Sequence, residues 1–268
     1  MNQTIDRLHD IKKNGYQIDF GNVFNHAFEN YKKIALYAGL VLFVFAFILG
    51  VIYFMSFGSY LKSLNLENTN NQLIENLQHQ KSLETPMLSI LFSILILSLL
   101  MTPLSAGFYK MAEHADKDKE FKFRNMFSFY RNPYFINIII ATILNTILSM
   151  LISTSILSLL NLIHINEFGL TLLANYSVSF FVYLFTFLTV PLIIFGELKA
   201  LEAIKHSILI ALKQPFTLAG LLIVSIIGSL VGFMGCCIGI FFTIPFLYSM
   251  NYAIYTEIVG IDAPQETE

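Results

Sequence analysis

What most constrains this chain is where its charge is missing. No Asp, Glu, Lys or Arg occurs in residues 34–61, 86–109, 133–166, 168–196 or 214–256. A helix buried in a soluble core is seldom charge-free for more than about 14 residues, whereas a bilayer crossing needs about 20. All five blocks are longer than that. Composition agrees: of 268 residues, 56% are apolar and 13% charged, against about a quarter charged in ordinary soluble domains. The fold class expected is all-α, a polytopic bundle of membrane helices. A soluble enzyme, a nucleic-acid binder and a disordered chain are excluded, and a net charge of −2 supplies no basic field to attract nucleic acid.

Six spans are expected, at about 34–57, 86–108, 134–160, 170–195, 216–234 and 238–258. The last two share one uncharged block, residues 214–256, which as a single helix would be roughly 65 Å long, twice the hydrocarbon thickness. It must fold back, and Gly235-Cys236-Cys237-Ile238-Gly239 is the small-residue segment suited to the turn. Adjacent cysteines cannot form a relaxed disulfide. The domain organisation is then a cytoplasmic N-terminal segment, 1–33, a membrane domain, 34–258, and a short cytoplasmic tail, 259–268. No cleaved signal peptide is expected, because no short apolar run with a small-residue cleavage site precedes the first span.

Basic residues set the orientation. The segments before span one, between spans two and three, and between spans four and five hold 14 of the 16 Lys and Arg; the other side holds Lys62 and Lys81. Basic loops stay cytoplasmic, so both termini are expected inside, across a bacterial inner membrane.

Each cytoplasmic segment carries an amphipathic stretch leading into an odd-numbered span. In the first, Phe20, Val23, Phe24, Ala27, Phe28 and Tyr31 recur at helical spacing. Phe123, Met126, Phe127 and Tyr130 repeat the pattern, as do Leu201, Ile204, Ile208 and Leu212. Such helices lie in the inner interface with basic residues toward anionic head groups; Lys32, Lys33, Arg124, Arg131, Lys205 and Lys213 are the head-group candidates. Every even-numbered span then carries a proline close after a threonine: Thr102-Pro103, Thr189-Val190-Pro191 and Thr243-Ile244-Pro245. These six residues are the helix-kink candidates, since proline removes a backbone hydrogen bond and crowds the preceding turn. The chain reads as three copies of one unit: interfacial helix, span, kinked return span.

The ending Gly235-Cys-Cys-Ile-Gly-Ile-Phe-Phe-Thr-Ile-Pro-Phe-Leu-Tyr-Ser-Met-Asn-Tyr-Ala-Ile-Tyr255, with Pro215 and the basic segment before it, resembles the last span of a group of bacterial six-span membrane proteins. The chain is similar, over most of residues 16–260, to the membrane domain attached to some glycerophosphodiester phosphodiesterases. Their catalytic domain and its His-Arg-Gly start are absent, so the resemblance implies a membrane module and carries over no catalytic residue.

Chemistry is sparse. There is no His-Glu-x-x-His, no Gly-x-Ser-x-Gly and no aspartate pair within a span. Ionisable groups inside a bilayer mark coupled pathways, and the span interiors hold none. The nearest approach to a metal-ligand cluster, Glu113 to Asp118, is interleaved with lysine and reads as a solvated charge run. Among the polar span residues Asn137, Asn145, Asn175 and Asn251, the two singled out are Asn145 and Asn251, which line a path, recognise a lipid head group or hydrogen-bond between helices. Gly228-x-x-x-Gly232 serves either a homodimer or packing within the bundle. No cofactor is implied. The function expected is non-enzymatic: a module that organises membrane lipids or a membrane-protein partner. The alternative is a transporter or lipid-translocating permease that opens along the kinked even-numbered helices.

Overall fold

The computed structural model describes residues 3–63, 101–120, 126–130, 134–163, 168–235 and 238–260. Arg124, Arg131, the first part of the second span (86–100), loop residues 64–85, Cys236-Cys237 and tail residues 261–268 lie outside the described residues. Within them every regular element is helical. In chain order these are α1 (Gln3–Asn14), α2 (Phe20–Ser63), α3 (101–116), α4 (Tyr134–Leu162), α5 (Phe168–Thr186), α6 (Thr189–Ile194), α7 (Ala200–Lys213), α8 (Pro215–Leu230), α9 (Gly239–Thr243) and α10 (Pro245–Ile258).

Four stretches are long and apolar enough to cross a membrane: Phe20–Val51, Tyr134–Leu162, Gly169–Ile194 and Pro215–Met234. The chain is thus a multi-pass helical membrane protein. The residues expected to form a sixth span are two helices, α9 and α10, parted at Ile244 just before Pro245. The fourth is likewise divided, α5 ending at Thr186 and α6 starting at Thr189, two residues ahead of Pro191. In both, the proline lacks the N–H that would bond the carbonyl four residues back, and its ring crowds that carbonyl.

The three expected interfacial stretches differ. The first is no separate helix. Asp19 caps α2, accepting a bond from the backbone N–H of Asn22 (2.7 Å), and the helix then runs unbroken through the span. One buried stripe, Val23, Ala27, Asn30, Ile34, Ala38 and Val41, continues across the expected junction. Nothing in it gives the chain reason to turn. In the second stretch, residues 128–130 form a single 3-10 turn that buries Phe129. Phe123 of that stretch lies outside the described residues. The third is a distinct helix, α7, separated from α8 at Gln214 by Pro215. Of the expected threefold unit, the breaks ahead of Pro191 and Pro245 are seen, and the first and third lead-ins differ from each other.

The core is centred on α10. Residues Ser249–Tyr255 of that helix are all buried, enclosed mainly by α2 and α8. Helix α1, not foreseen in the sequence, closes the C-terminal end of α10. Asp6 in its first turn and Lys12 and Lys13 in its last match the helix dipole, and Gly15, at φ +77°, ends it by bonding its N–H to Ile11 O (2.9 Å). Thr4, Leu8 and Ile11 are buried beneath it. Arg7 Nε donates to Ile258 O (3.1 Å), satisfying a last-turn carbonyl of α10. Tyr16 Oη donates to Ile210 O (3.0 Å), and Gln214 Nε2 donates to Tyr16 O (2.6 Å), fixing the link to α7.

Candidate functional site

Four places gather polar or charged side chains. The first is a knot where α2, α3 and α10 meet. His26 Nε2 lies 2.6 Å from Asp116 Oδ1, and Tyr252 Oη donates to Asp116 Oδ2 (3.0 Å). Lys33 Nζ donates to Ala115 O (2.9 Å) and to Asp118 Oδ1. Glu113, buried, is held by Lys110 (2.5 Å) and Lys117 (2.8 Å). Burial pushes its carboxyl up, and the bonds from the two lysines more than reverse that, leaving it below its ordinary value. In the run Glu113 to Asp118, expected to be solvated, Asp116 and Asp118 are exposed while Glu113 is buried, and the run also ties the last turn of α3 to the helices beside it. Among the described residues no group of three or more His, Cys, Asp or Glu is placed to hold a metal ion.

The second is a buried node deeper in the bundle. Asn251, 1% exposed, donates through Nδ2 to Tyr109 Oη (3.1 Å) and Tyr183 Oη (2.8 Å). One amide thus joins α10 to α3 and α5. Of the other polar span residues, Asn145 Oδ1 is buried with no hydrogen-bond partner, and Asn175 Oδ1 accepts from Ser153 Oγ (2.6 Å), joining α5 to α4.

The third is the place where α8 and its extension cross α9 and α10. A Cβ on Gly228 would meet the Phe246 ring at 2.7 Å, and one on Gly232 would strike the carbonyl of Gly239 and Thr243 Oγ1. Both glycines of the Gly-x-x-x-Gly face their own chain. Thr243 Oγ1 also donates to Ser229 O (2.5 Å). The other kink candidates behave differently. Thr189 is buried with Oγ1 unpartnered, Pro191 is buried within α6, and Thr102 and Pro103 lie at the described start of α3, where Ser105 Oγ donates to Thr102 O (2.6 Å).

The fourth is α7. Its bundle-facing side is made of Ala200, Ala203, Ser207, Ile210 and Ala211. Ser207 Oγ donates to Phe185 O (2.9 Å), satisfying a carbonyl that the end of α5 leaves open. Leu201 and Leu212 are exposed, and so are Lys205 and Lys213. Of the remaining head-group candidates, Lys33 is engaged in the knot, and Lys32 bonds Glu29 (2.7 Å) and stands over the Phe28 ring. The His26–Asp116–Tyr252 grouping is not legible in the sequence, because its members are 90 and 136 residues apart.

Set against known proteins, the chain matches no family model, no curated protein and no solved structure.

Where α1 meets α7, His206 is half-buried and its Nδ1 has no hydrogen-bond partner. Burial, then the nearby His9, hold it below the ordinary 6.5; Glu202 opposes this and Lys12 reinforces it. The undocked state therefore binds the proton more readily, and the sign follows. Docking of α1 is fully favoured above that ordinary value and weakens as pH falls below it. Amide exchange in residues 3–14, corrected for intrinsic rates, is expected to be faster at about pH 5.5 than at about pH 7.5. His206→Gln should flatten the difference; equal protection in the wild type at both pH values would refute the coupling.

Proposed function

We propose that this protein is a membrane scaffold without catalysis of its own, a six-span module of a bacterial inner membrane with both termini in the cytoplasm. In this reading it gathers anionic lipid, and through it a membrane-protein partner, at its cytoplasmic face. The observation that carries it is the make-up of α7: small residues buried against the bundle, with Leu201, Leu212, Lys205 and Lys213 left exposed. Leucines beside lysines on an outward surface suit the boundary between acyl chains and negatively charged head groups. The resemblance to membrane modules that accompany lipid-headgroup hydrolases is in keeping with such a role.

The test is reconstitution into nanodiscs of equal parts phosphatidylglycerol and phosphatidylcholine, followed by extraction and counting of the lipids retained. Enrichment of phosphatidylglycerol over the bulk ratio is expected. Retention at the bulk ratio would count decisively against the scaffold reading.

A permease is the second reading, favoured by the breaks before Pro191 and Pro245 and by the unpartnered Thr189 hydroxyl between helix pieces. Discontinuous helices expose backbone groups that substrates can use. That reading requires lipid or solute flux in proteoliposomes that changes on Pro191→Ala or Pro245→Ala.

A further inference from the structure

The outward surface carries a concave feature that a general scaffold does not require. Helices α4, α5 and α7 enclose a groove of about 370 Å³, lined on α4 by Ile152 and Ile156, on α5 by Phe181 and Phe185, and on α7 by Ile208 and Leu212. Its wall is apolar throughout. The one hydroxyl-bearing residue along it, Thr186, turns its Oγ1 back onto Val182 O (2.8 Å). Lining positions on α4 extend from Leu148 to Ile156, about 12 Å along the helix axis, so the groove is elongated along two membrane-spanning helices. Ser153 and Asn175 bond across these two helices beside it and hold its walls at a fixed separation.

We infer that this groove seats one acyl chain of an anionic glycerophospholipid, whose phosphate is held by Lys205 and Lys213. The inference rests on the scaffold reading and gives it a site. Charge is what selects this occupant. Lys205 precedes Ile208 by three residues and Leu212 by seven, which places it on the same strip of α7 as the two groove-lining residues. Lys213 directly follows Leu212. Both lysines are exposed, and a lysine stem lies readily along apolar surface while its ammonium reaches the phosphate plane. The acidic residue on this helix, Glu202, stands one turn before Lys205, away from the Leu212 end. A groove in contact with acyl chains does not stay empty; Lys205 and Lys213, one toward each end of its α7 wall, decide which head group its occupant carries.

The experiment uses the full chain in phosphatidylcholine nanodiscs containing either phosphatidylglycerol or phosphatidylcholine with a photoreactive acyl chain, and locates the label by peptide mass spectrometry. Label from the phosphatidylglycerol probe is expected in peptides spanning 148–156 and 178–186, above that on the lipid-facing side of α2 around Leu36 and Phe47. Lys205→Gln and Lys213→Gln are each expected to lower it by about fivefold, the worth of one lysine near an anionic head group, with the phosphatidylcholine probe unaffected. Ile152→Trp, at a partly exposed position, fills the groove without touching the core and should drive label out of 178–186. Equal labelling by the two probes, or label spread evenly over all outward faces, overturns the inference. So does native mass spectrometry giving mainly lipid-free dimers, which would assign the groove to a second copy. If phosphatidylglycerol enrichment in the mixed nanodiscs persists while the label is spread evenly, the groove alone is refuted. If the enrichment is lost as well, the scaffold reading fails with it.

Discussion

Gly232→Ala is expected to leave little folded protein, and what accumulates should melt far below wild type in detergent. The reason lies in what the added methyl meets. Around Gly232 the 3-10 extension of α8 lies directly on α9, and the new Cβ would collide with the backbone carbonyl of Gly239 and with Thr243 Oγ1. A flexible side chain can rotate away from such a clash, but a carbonyl cannot. The two helices would have to separate, and the bond from Thr243 Oγ1 to Ser229 O would be lost with the close contact. Overpacking commonly costs about 1–3 kcal/mol, and losing the shared hydrogen bond adds about 0.6–2 kcal/mol in a membrane bundle. Against a total stability of about 5–15 kcal/mol, this is severe. Gly228→Ala should be milder, because its neighbour at 2.7 Å is the edge of the Phe246 ring. Gly50→Ala, where nothing lies within 4 Å, should melt like wild type and serves as the control. A Gly232→Ala melt indistinguishable from that control would mean that α8 and α9 are not held together by this crossing.

The spans were legible because charge in hydrocarbon is expensive, and that cost is written in single residues. Charge-free blocks located α4 at Tyr134–Leu162 against an expected 134–160, and the Pro215–Met234 span against an expected 216–234. The breaks before Pro191 and Pro245 were legible for a similar local reason, the missing N–H of proline. What escaped the sequence was set by partners far along the chain. Helix α1 is short and polar on average, and becomes a helix with a buried face only because α7 and the end of α10 receive Leu8, Ile11 and Arg7. Stretch 20–33 has the periodicity of an interfacial helix. It stays continuous with its span because Ser249 Oγ, donating to Ala27 O (2.7 Å), and the packing around it hold the same stripe against α10 on both sides of the expected junction. On α7 the leucine stripe drew attention, yet the side that meets the bundle is the small-residue one. In lipid, a leucine gains little by turning inward, whereas alanine and serine let backbones approach closely enough for Ser207 to reach Phe185 O. The hydrophobic stripe of this helix is divided: Ile204 packs against the core, whereas Leu201 and Leu212 face outward.

Asn251→Leu carries the other large effect and decides what the buried amide is for. Leucine is close in size, so the loss is chiefly polar: two hydrogen bonds at about 0.6–2 kcal/mol each in a membrane bundle, and two tyrosine hydroxyls stranded where water does not reach. A fall in stability of about 2–4 kcal/mol is expected, read as a lower midpoint of unfolding in detergent. The cost of stranded partners can be isolated. Tyr109→Phe with Tyr183→Phe in the Asn251→Leu background removes the unsatisfied hydroxyls, and part of the stability should return, since deleting both sides of a buried hydrogen bond is cheaper than deleting one. Asn145 supplies the contrast. Its Oδ1 lacks a partner, as Asn251 Oδ1 does, but no tyrosine hydroxyl is bonded to its amide, so Asn145→Leu should be neutral or slightly stabilising. If both substitutions behave alike, Asn251 is not the bolt joining α3, α5 and α10, and the two amides must be considered together as groups lining a path. If only Asn251→Leu destabilises, the amide is structural, and a path through the bundle must be sought away from α10.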